Sequence, residues 1–558
     1  MTMTKTTELD FFDLHQRISA GELQPPPALT TRGRAYRRWL KEHTSIPDMD
    51  GIRFDHSYHS PRVTGFFGSG AGTASVVSGG LEWQTTTNLG AGFSPNVVGA
   101  PAPIIGTPLG RHVTTGADVG CDAMSWFREG IIANPSAFVL SLPGLGKSTL
   151  IRKMLMGGVA QGHIPIIAGD IKGEYVGFTQ QVGGQVITIG HGEGKINPLD
   201  VGALGRVIPL LESSKEHLEK TGNGDLIERA KEQVHGRQVT MVATLVGLGR
   251  GAPIADWEAM LVSVTLRELS ADSRFSWEHP PILTDLIEIL EEGSTNLRKK
   301  ARARTDEAWQ ERIDDLVLSL NALLDGATGQ IFAGQTTDPI QVDSTAVCID
   351  VSAVDRGDSS MKAAVMMACW SSAFGAIEAS HMLADAGLGD QKYFSVTLDE
   401  MWQVLSSAPD MVGQVDSLTR LNRTSATALH MITHTFKDLE SLPTEEDRKK
   451  AMGFIERAGM VVCGGLPNSE LDILSSRLEF SPAEASMITS WSKGAHLRRS
   501  RTFGARSSPP GRGRFMIKPS KDGSAGVPVQ VVLTPTEITD RLHDTNQRFD
   551  TYFSDGES

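Results

Sequence analysis

Cysteine is scarce in this chain: Cys121, Cys348, Cys369 and Cys463 stand far apart, with no C-x-x-C pair. That spacing excludes a disulfide framework and points to a reducing compartment. The first ten residues have no apolar core, so no signal peptide is read there. No uncharged apolar run reaches the roughly 20 residues that a membrane-spanning helix needs. Positive charge is in deficit too, with 53 Lys and Arg against 66 Asp and Glu, a net charge of −13. A protein that wraps phosphate backbones is usually basic, so this balance lends nucleic-acid binding no support. No internal repeat is present. What remains is a chain of 558 residues, 40% hydrophobic and 21% charged, ordinary for a globular protein and too long for one compact domain. A cytoplasmic chain is expected, soluble or held at a membrane by partners.

The most specific feature lies where an apolar run, 137–140, meets Ser141, Leu142, Pro143, Gly144, Leu145, Gly146, Lys147 and Ser148. Thr149, Leu150 and Ile151 then open a helical pattern. A strand, a Gly-rich turn and a helix start make a phosphate cradle, because glycines let backbone N–H groups curl around an anion and the helix N-terminus adds its positive dipole end. In such a P-loop the Lys reaches the β- and γ-phosphates and the Ser hydroxyl ligates Mg²⁺. The pattern asks for Gly five residues before Gly146, and Ser141 stands there; a small residue suffices for the bend. The expected nucleotide-binding residues are therefore Pro143, Gly144, Leu145, Gly146, Lys147, Ser148 and Thr149, with ATP and Mg²⁺ as cofactors.

Short apolar runs without alternation mark strands covered on both faces. They fall at 136–140, 164–168, 186–189, 347–351, 394–398, 429–432 and 460–462, separated by helical stretches as in βαβ units. Between 203 and 324 helical patterns dominate, at 227–234, 257–269 and 285–292, the last with Thr284 as its expected cap. The fold class read from this is α/β, a P-loop NTPase with a RecA-like, mostly parallel sheet, a helical insertion between its two nucleotide motifs and a small β-containing N-terminal region. The division expected is an N-terminal helical and linker segment at 1–50 and a Gly-rich region with short strands at 51–130. An ATPase core at 131–202 and 325–495 follows, interrupted by the helical insertion at 203–324. The C-terminal strands and tail take 496–558, with strands read near 514–517 and 529–532.

A P-loop needs a carboxylate for Mg²⁺ and one for the attacking water. Asp399 and Glu400 end the apolar run 394–398 and supply both. Asp399 is expected to hold the Mg²⁺ shell together with Ser148, and Glu400, one position on, to act as general base. The separation from Lys147 is 399 − 147 = 252 residues, so the helical insertion falls between the motifs.

Farther motifs follow in order: Gly169, Asp170, Ile171, Lys172, Gly173, Glu174 and Tyr175; then Gly183, Gly184 and Gln185; then Ile196, Asn197, Pro198, Leu199 and Asp200. With Asn134-Pro135, Gly326-x-x-Gly329-x-x-Phe332, the run Asp399 to Trp402 and Asp544-Thr545-Asn546, the series over about residues 110–549 resembles the ATPases of conjugation and type IV secretion. That is the VirB-four/TraC-like family within the HerA/FtsK group of hexameric pumps, and the Gly-rich early region resembles its actinobacterial branch. The resemblance implies a homo-hexameric ring at the inner face of the membrane, partnered by channel proteins. It implies a Thr-Gln pair sensing the γ-phosphate, where this chain has Thr433 and His434, so the sensing step falls to a histidine. Arg420 and Arg423, before that strand, are implied as catalytic arginines reaching a neighbour's nucleotide. Asp170 and Lys172 fall just past a core strand, near the expected phosphates.

Three functions fit these motifs. The first is an ATP-driven motor for a conjugation or secretion apparatus that transfers DNA or protein. The second is a soluble hexameric DNA translocase, and the third a nucleotide-gated scaffold with little turnover. Other signals carry less. His430-x-x-x-His434 lacks the Glu of a zinc-protease motif and falls in a strand pattern. His56 and His59 read as loop histidines, the run Gly68 to Gly72 as a flexible loop, and the Arg-rich stretch 498–514 as a solvated connection.

Overall fold

The structure, a computed structural model, describes residues 31–43, 102–354, 359–407, 411–419, 426–440, 444–494, 509–519 and 524–543, with Leu14 and Leu442. Arg420, Arg423, His56, His59, the run Gly68 to Gly72, most of the stretch 498–514 and the Asp544-Thr545-Asn546 motif lie outside the described residues. Two units are present. The smaller combines Met1–Val98, Ala495–Ser508 and Leu533–Ser558. Within it the helix Thr31–His43 buries Tyr36 and Trp39, whose rings stack 6.2 Å apart.

The larger unit, Gly99–Gly494 with Pro509–Val532, carries one 11-stranded sheet. Its strands are β1 (Pro108–His112), β2 (Asp118–Gly120), β3 (Ser136–Leu140), β4 (His163–Asp170), β5 (Gln185–Thr188), β6 (Val347–Asp350), β7 (Tyr393–Leu398), β8 (Thr427–Thr433), β9 (Met460–Cys463), β10 (Arg514–Lys518) and β11 (Val527–Val531). The spatial order is β2-β1-β11-β10-β9-β3-β8-β7-β4-β6-β5. From β9 to β5 all neighbours run parallel, and from β9 outward through β10, β11, β1 and β2 they run antiparallel. The seven short apolar runs of the sequence are the seven parallel strands. Their lack of alternation has the expected cause, since every residue of β3 and of β8 is buried. Parallel strands need crossover connections, and the helices between them cover both faces.

No strand interrupts the stretch 203–324. It folds as Ala203–Ser213, Lys215–Thr221, Leu226–Arg250, Asp256–Ala271, Leu283–Glu292, Thr295–Ala301 and Asp306–Leu324, all between β5 and β6. The helix Leu226–Arg250 is longer than its sequence pattern because the apolar positions resume at Met241, Val242, Leu245, Val246 and Leu248, all buried. Thr284 is not the cap expected of it. The helix begins one residue earlier, at Leu283, and Asp285 reaches back to accept the Ile282 N–H at 2.8 Å. A carboxylate at the third position of the helix can satisfy that donor as well as a capping hydroxyl satisfies another. Against this bundle lies the 27-residue helix Ser359–Asp385, whose Ala379 and Met382, with Ala386 just past its end, join Leu204, Ile208, Leu211 and Ala230 in one apolar cluster.

Register decides what meets at the carboxyl edge. Leu140 of β3 pairs with Thr433 of β8, Leu398 of β7 with Met431 of β8, and Thr397 of β7 with Ile167 of β4. The four chains therefore leave the sheet nearly level, which brings Ser141, His434, Asp399-Glu400 and Asp170 to one rim. On the other side of β3, Gly464 N donates to Leu140 O at 2.8 Å and continues the ladder past β9. A Cβ on Gly464 would stand 2.2 Å from Ser141 Oγ and 2.6 Å from Ser141 Cβ. Gly464 thus makes room for the serine that replaces glycine in the P-loop. We expect Gly464→Ala to destabilise the unit by ~1–3 kcal/mol through overpacking. Ser141→Gly in the same chain should restore most of that loss, as read by denaturant unfolding of the single and double variants. Strictly additive losses would show that the two positions do not touch.

Candidate functional site

The P-loop leaves β3 at Ser141 and enters the helix Lys147–Ala160. Gly144 (φ +77°) and Gly146 (φ +96°) take left-handed backbone conformations, which other residues adopt at a cost. Gly146 caps the helix without any side-chain hydrogen bond, so the first amides of this 14-residue helix meet no capping side chain. Pro143 and Gly144 are exposed, Leu145 is buried, and Ser148 and Thr149 are half-buried at the helix start. Gly513 N donates to Leu145 O at 2.9 Å, so the segment leading into β10 braces the loop from outside. An open cradle of backbone, a free helix N-terminus, a hydroxyl and an ammonium together suit a phosphate chain with its cation.

Lys147, Asp399, Glu400 and His434, more than 280 residues apart at the extremes, converge here. β8 lies between β3 and β7, so His434 stands between the P-loop lysine and the acids. Lys147 Nζ donates to Thr433 O at 3.3 Å and to Nδ1 of His434. An ammonium has no lone pair, so Nδ1 accepts and the other ring nitrogen carries the proton. That Nε2 lies 2.7 Å from Glu400 Oε1 and donates to it. The histidine that replaces glutamine in the resemblance thus bridges lysine and acid with its two nitrogens.

Glu400 is the most heavily held group in the site. Lys172 Nζ donates to the same Oε1 at 2.5 Å, and Trp402 Nε1 donates to Oε2 at 2.7 Å. Its backbone is left-handed (φ +50°), rare for a residue with a side chain and concentrated where structure serves function. Burial pushes its pKa up, but the hydrogen bonds from His434 and Lys172 together outweigh burial and hold the carboxyl well below the usual range. Asp399 has no such partners. It accepts the Glu400 N–H at 2.9 Å and, at 3.5 Å, the Tyr175 hydroxyl. Burial, then the neighbouring Glu400, push it up to about 6. Burial likewise draws Lys147 down to about 8, against the pull of Asp399 and Glu400. An acid and a base both buried with little compensation are groups waiting for a charged ligand.

Of three further contacting residues, the sequence reading places Lys172 only near the expected phosphates and assigns Tyr175 and Trp402 no role. Their signal was there, since each falls inside a motif run, 169–175 or 399–402, but spacing alone does not say which member of a run points inward. Asp170 is buried and its carboxylate accepts the N–H groups of Lys172, Glu174 and Tyr175 at 3.3, 3.1 and 2.7 Å. It shapes the turn. Burial pushes it up to about 6. His430 is a core residue of β8, buried and drawn down to about 4 by that burial, with Nδ1 3.4 Å from Ser395 Oγ.

No protein-family model matches this chain, and no curated protein sequence matches it. Solved structures do. VirB4 of Thermoanaerobacter pseudethanolicus aligns over 79% of this chain and 99% of its own, with a TM-score of 0.57 and 19% identity. The conjugative coupling protein TrwB aligns less closely: its complex with the GTP analogue GDPNP covers 78% of this chain and 96% of its own, at a TM-score of 0.40 and 13% identity. The chain therefore has the α/β fold of VirB4, with the helical insertion placed between the P-loop strand and the strand that carries the two acids.

Proposed function

We propose that this chain is an ATP-hydrolysing motor that energises a conjugation or type IV secretion apparatus. The observation that carries the proposal is the convergence of Lys147, His434, Asp399 and Glu400 on one sheet rim, beside an open P-loop, in a chain folded like VirB4. Ser148 and Asp399 would hold Mg²⁺, which supplies charge neutralisation between the phosphates and polarises the bond to be broken. Lys147 gives up its contacts with His434 and Thr433 to take the phosphates, and the amides of Gly144 to Thr149 surround them. Glu400, kept ionised by its donors, accepts a hydrogen bond from the attacking water and aligns it. His434 holds one side of that carboxylate and, through its other nitrogen, registers whether Lys147 is engaged.

The unit of action in this reading is a homo-hexameric ring, with Arg420 and Arg423 completing a neighbour's site. Its partners are channel proteins at the inner face of a membrane, and DNA is a possible cargo rather than a requirement. No helix among the described residues is long and apolar enough to cross a membrane, consistent with recruitment through those partners. A soluble DNA translocase would use the same site, and DNA separates the two: strong stimulation of turnover by double-stranded DNA alone would favour the translocase.

Lys147→Ala should abolish nucleotide binding or turnover in a chain that still folds, as followed by fluorescent-nucleotide titration, phosphate release and circular dichroism. Glu400→Gln should keep nucleotide binding and lose at least about a hundredfold in turnover. Undiminished hydrolysis in Glu400→Gln would reject the assigned role and raise the scaffold reading. Asp399→Asn should behave oppositely in stability and function. At pH 7.5 it removes a buried charge, so the nucleotide-free chain should gain ~1–3 kcal/mol while Mg²⁺-dependent nucleotide binding falls. The folded-state pKa of Asp399 is raised to about 6, so the wild type takes up its proton first in the folded state as pH drops. The advantage of Asp399→Asn should therefore shrink between pH 7 and pH 4, as measured by thermal unfolding across that range.

A further inference from the structure

The turn after β4 does more than close a loop. Asp170 gathers three amides of the turn, those of Lys172, Glu174 and Tyr175, and the turn is tied to the P-loop helix by Arg152. The guanidinium of Arg152, on a residue 2% exposed, donates to Glu174 O at 3.2 Å and to Ser148 O at 3.2 Å. From this braced turn two side chains reach across to β7, the next strand. Lys172 Nζ meets Glu400 Oε1 at 2.5 Å, and the fully buried Tyr175 hydroxyl donates to Asp399 Oδ2 at 3.5 Å. Each acid of the pair receives one arm of the same turn.

We propose that the turn 170–175 is a clamp for the acidic pair, with Lys172 as the positioning residue that fixes the Glu400 carboxylate in the orientation the attacking water requires. The inference rests on the reading of Glu400 as the water-aligning acid and deepens it by naming what holds that acid in place. Glu400 needs such a hold. Its backbone sits in a left-handed conformation that other residues with side chains rarely keep, and its carboxylate is 4% exposed, so solvent does not fix it. His434 cannot serve alone, because its contact with Lys147 is the one that must break when phosphates draw Lys147 away. Lys172 approaches from the opposite neighbour strand, β4, and has no such competing duty among its described contacts. Its side chain is 43% exposed, so it tethers the acid from the open side of the site while Trp402 holds the other oxygen. Because Arg152 joins the turn to the carbonyl of Ser148, movement of the P-loop helix on phosphate binding is passed to Lys172 and so to Glu400.

The test uses the full-length chain and four variants: Lys172→Met, Lys172→Arg, Glu400→Gln and Lys172→Met with Glu400→Gln. Steady-state ATP turnover gives kcat and KM, titration with a fluorescent ATP analogue gives affinity independently of turnover, and thermal unfolding reports folding. We expect Lys172→Met to fold and to bind nucleotide with affinity within about threefold of the parent. Its kcat should fall between about tenfold and a hundredfold, as misplaced groups cost, with KM little changed. Lys172→Arg should recover at least a third of the lost turnover, because a guanidinium can still pair with the carboxylate. The double variant should be no slower than Glu400→Gln alone, since the lysine acts only through that acid. A kcat of Lys172→Met within twofold of the parent overturns the clamp, provided Glu400→Gln is inactive. A further loss in the double variant overturns it too, as does a fall in affinity that arginine does not rescue. If Glu400→Gln itself turns over normally, the failure belongs to the assignment of Glu400 and not to Lys172.

Discussion

A carboxylate that is 4% exposed cannot be solvated by bulk water, and Glu400 is such a group at the end of β7. It stays charged because protein donors replace the lost water: Lys172 from one neighbouring strand, His434 from the other, and the Trp402 indole from its own helix. The arrangement of the whole rim follows from supplying those donors. β8 must lie between the P-loop strand and the acid strand for a single imidazole to reach both Lys147 and Glu400. β4 must lie on the far side of β7 for the turn 170–175 to reach the same acid.

The two acids are held in opposite electrostatic conditions although they are consecutive in the chain. Glu400 has a full ammonium, an imidazole N–H and an indole N–H as donors, and Asp399 has no cation bonded to it among the described residues. That asymmetry divides the labour. A well-compensated acid is a stable, oriented acceptor, whereas an undercompensated one stores a cost that a cation can relieve. Lys147 stores a matching cost, being buried against a neutral imidazole and a carbonyl. The rim is accordingly strained in charge, and the fold carries that strain on strands packed from both faces.

The helical insertion between β5 and β6 explains why the motifs are so far apart in sequence. Its first helices build an apolar cluster with the helix Ser359–Asp385, the later ones pack into the core shared with the sheet, and none adds a strand. The strand order is therefore untouched by about 120 inserted residues, and the motif spacing says nothing about the distance between side chains at the rim.

Much of this was legible in the residues themselves. The uninterrupted apolar runs located all seven parallel strands, because burial on both faces leaves a local composition mark. The P-loop and the acid pair were legible for a similar reason: backbone geometry at Gly144 and Gly146 and the abrupt charge after 394–398 are properties of short segments. Strand order and register were not legible, since pairing between β3, β8, β7 and β4 is a long-range choice that no local pattern encodes. For that reason the chain order alone did not reveal that β1, β2, β10 and β11 extend the same sheet, that Gly464 makes space for Ser141, or that Lys172 pairs with Glu400. Those are consequences of which strands become neighbours, and only packing the whole sheet settles that.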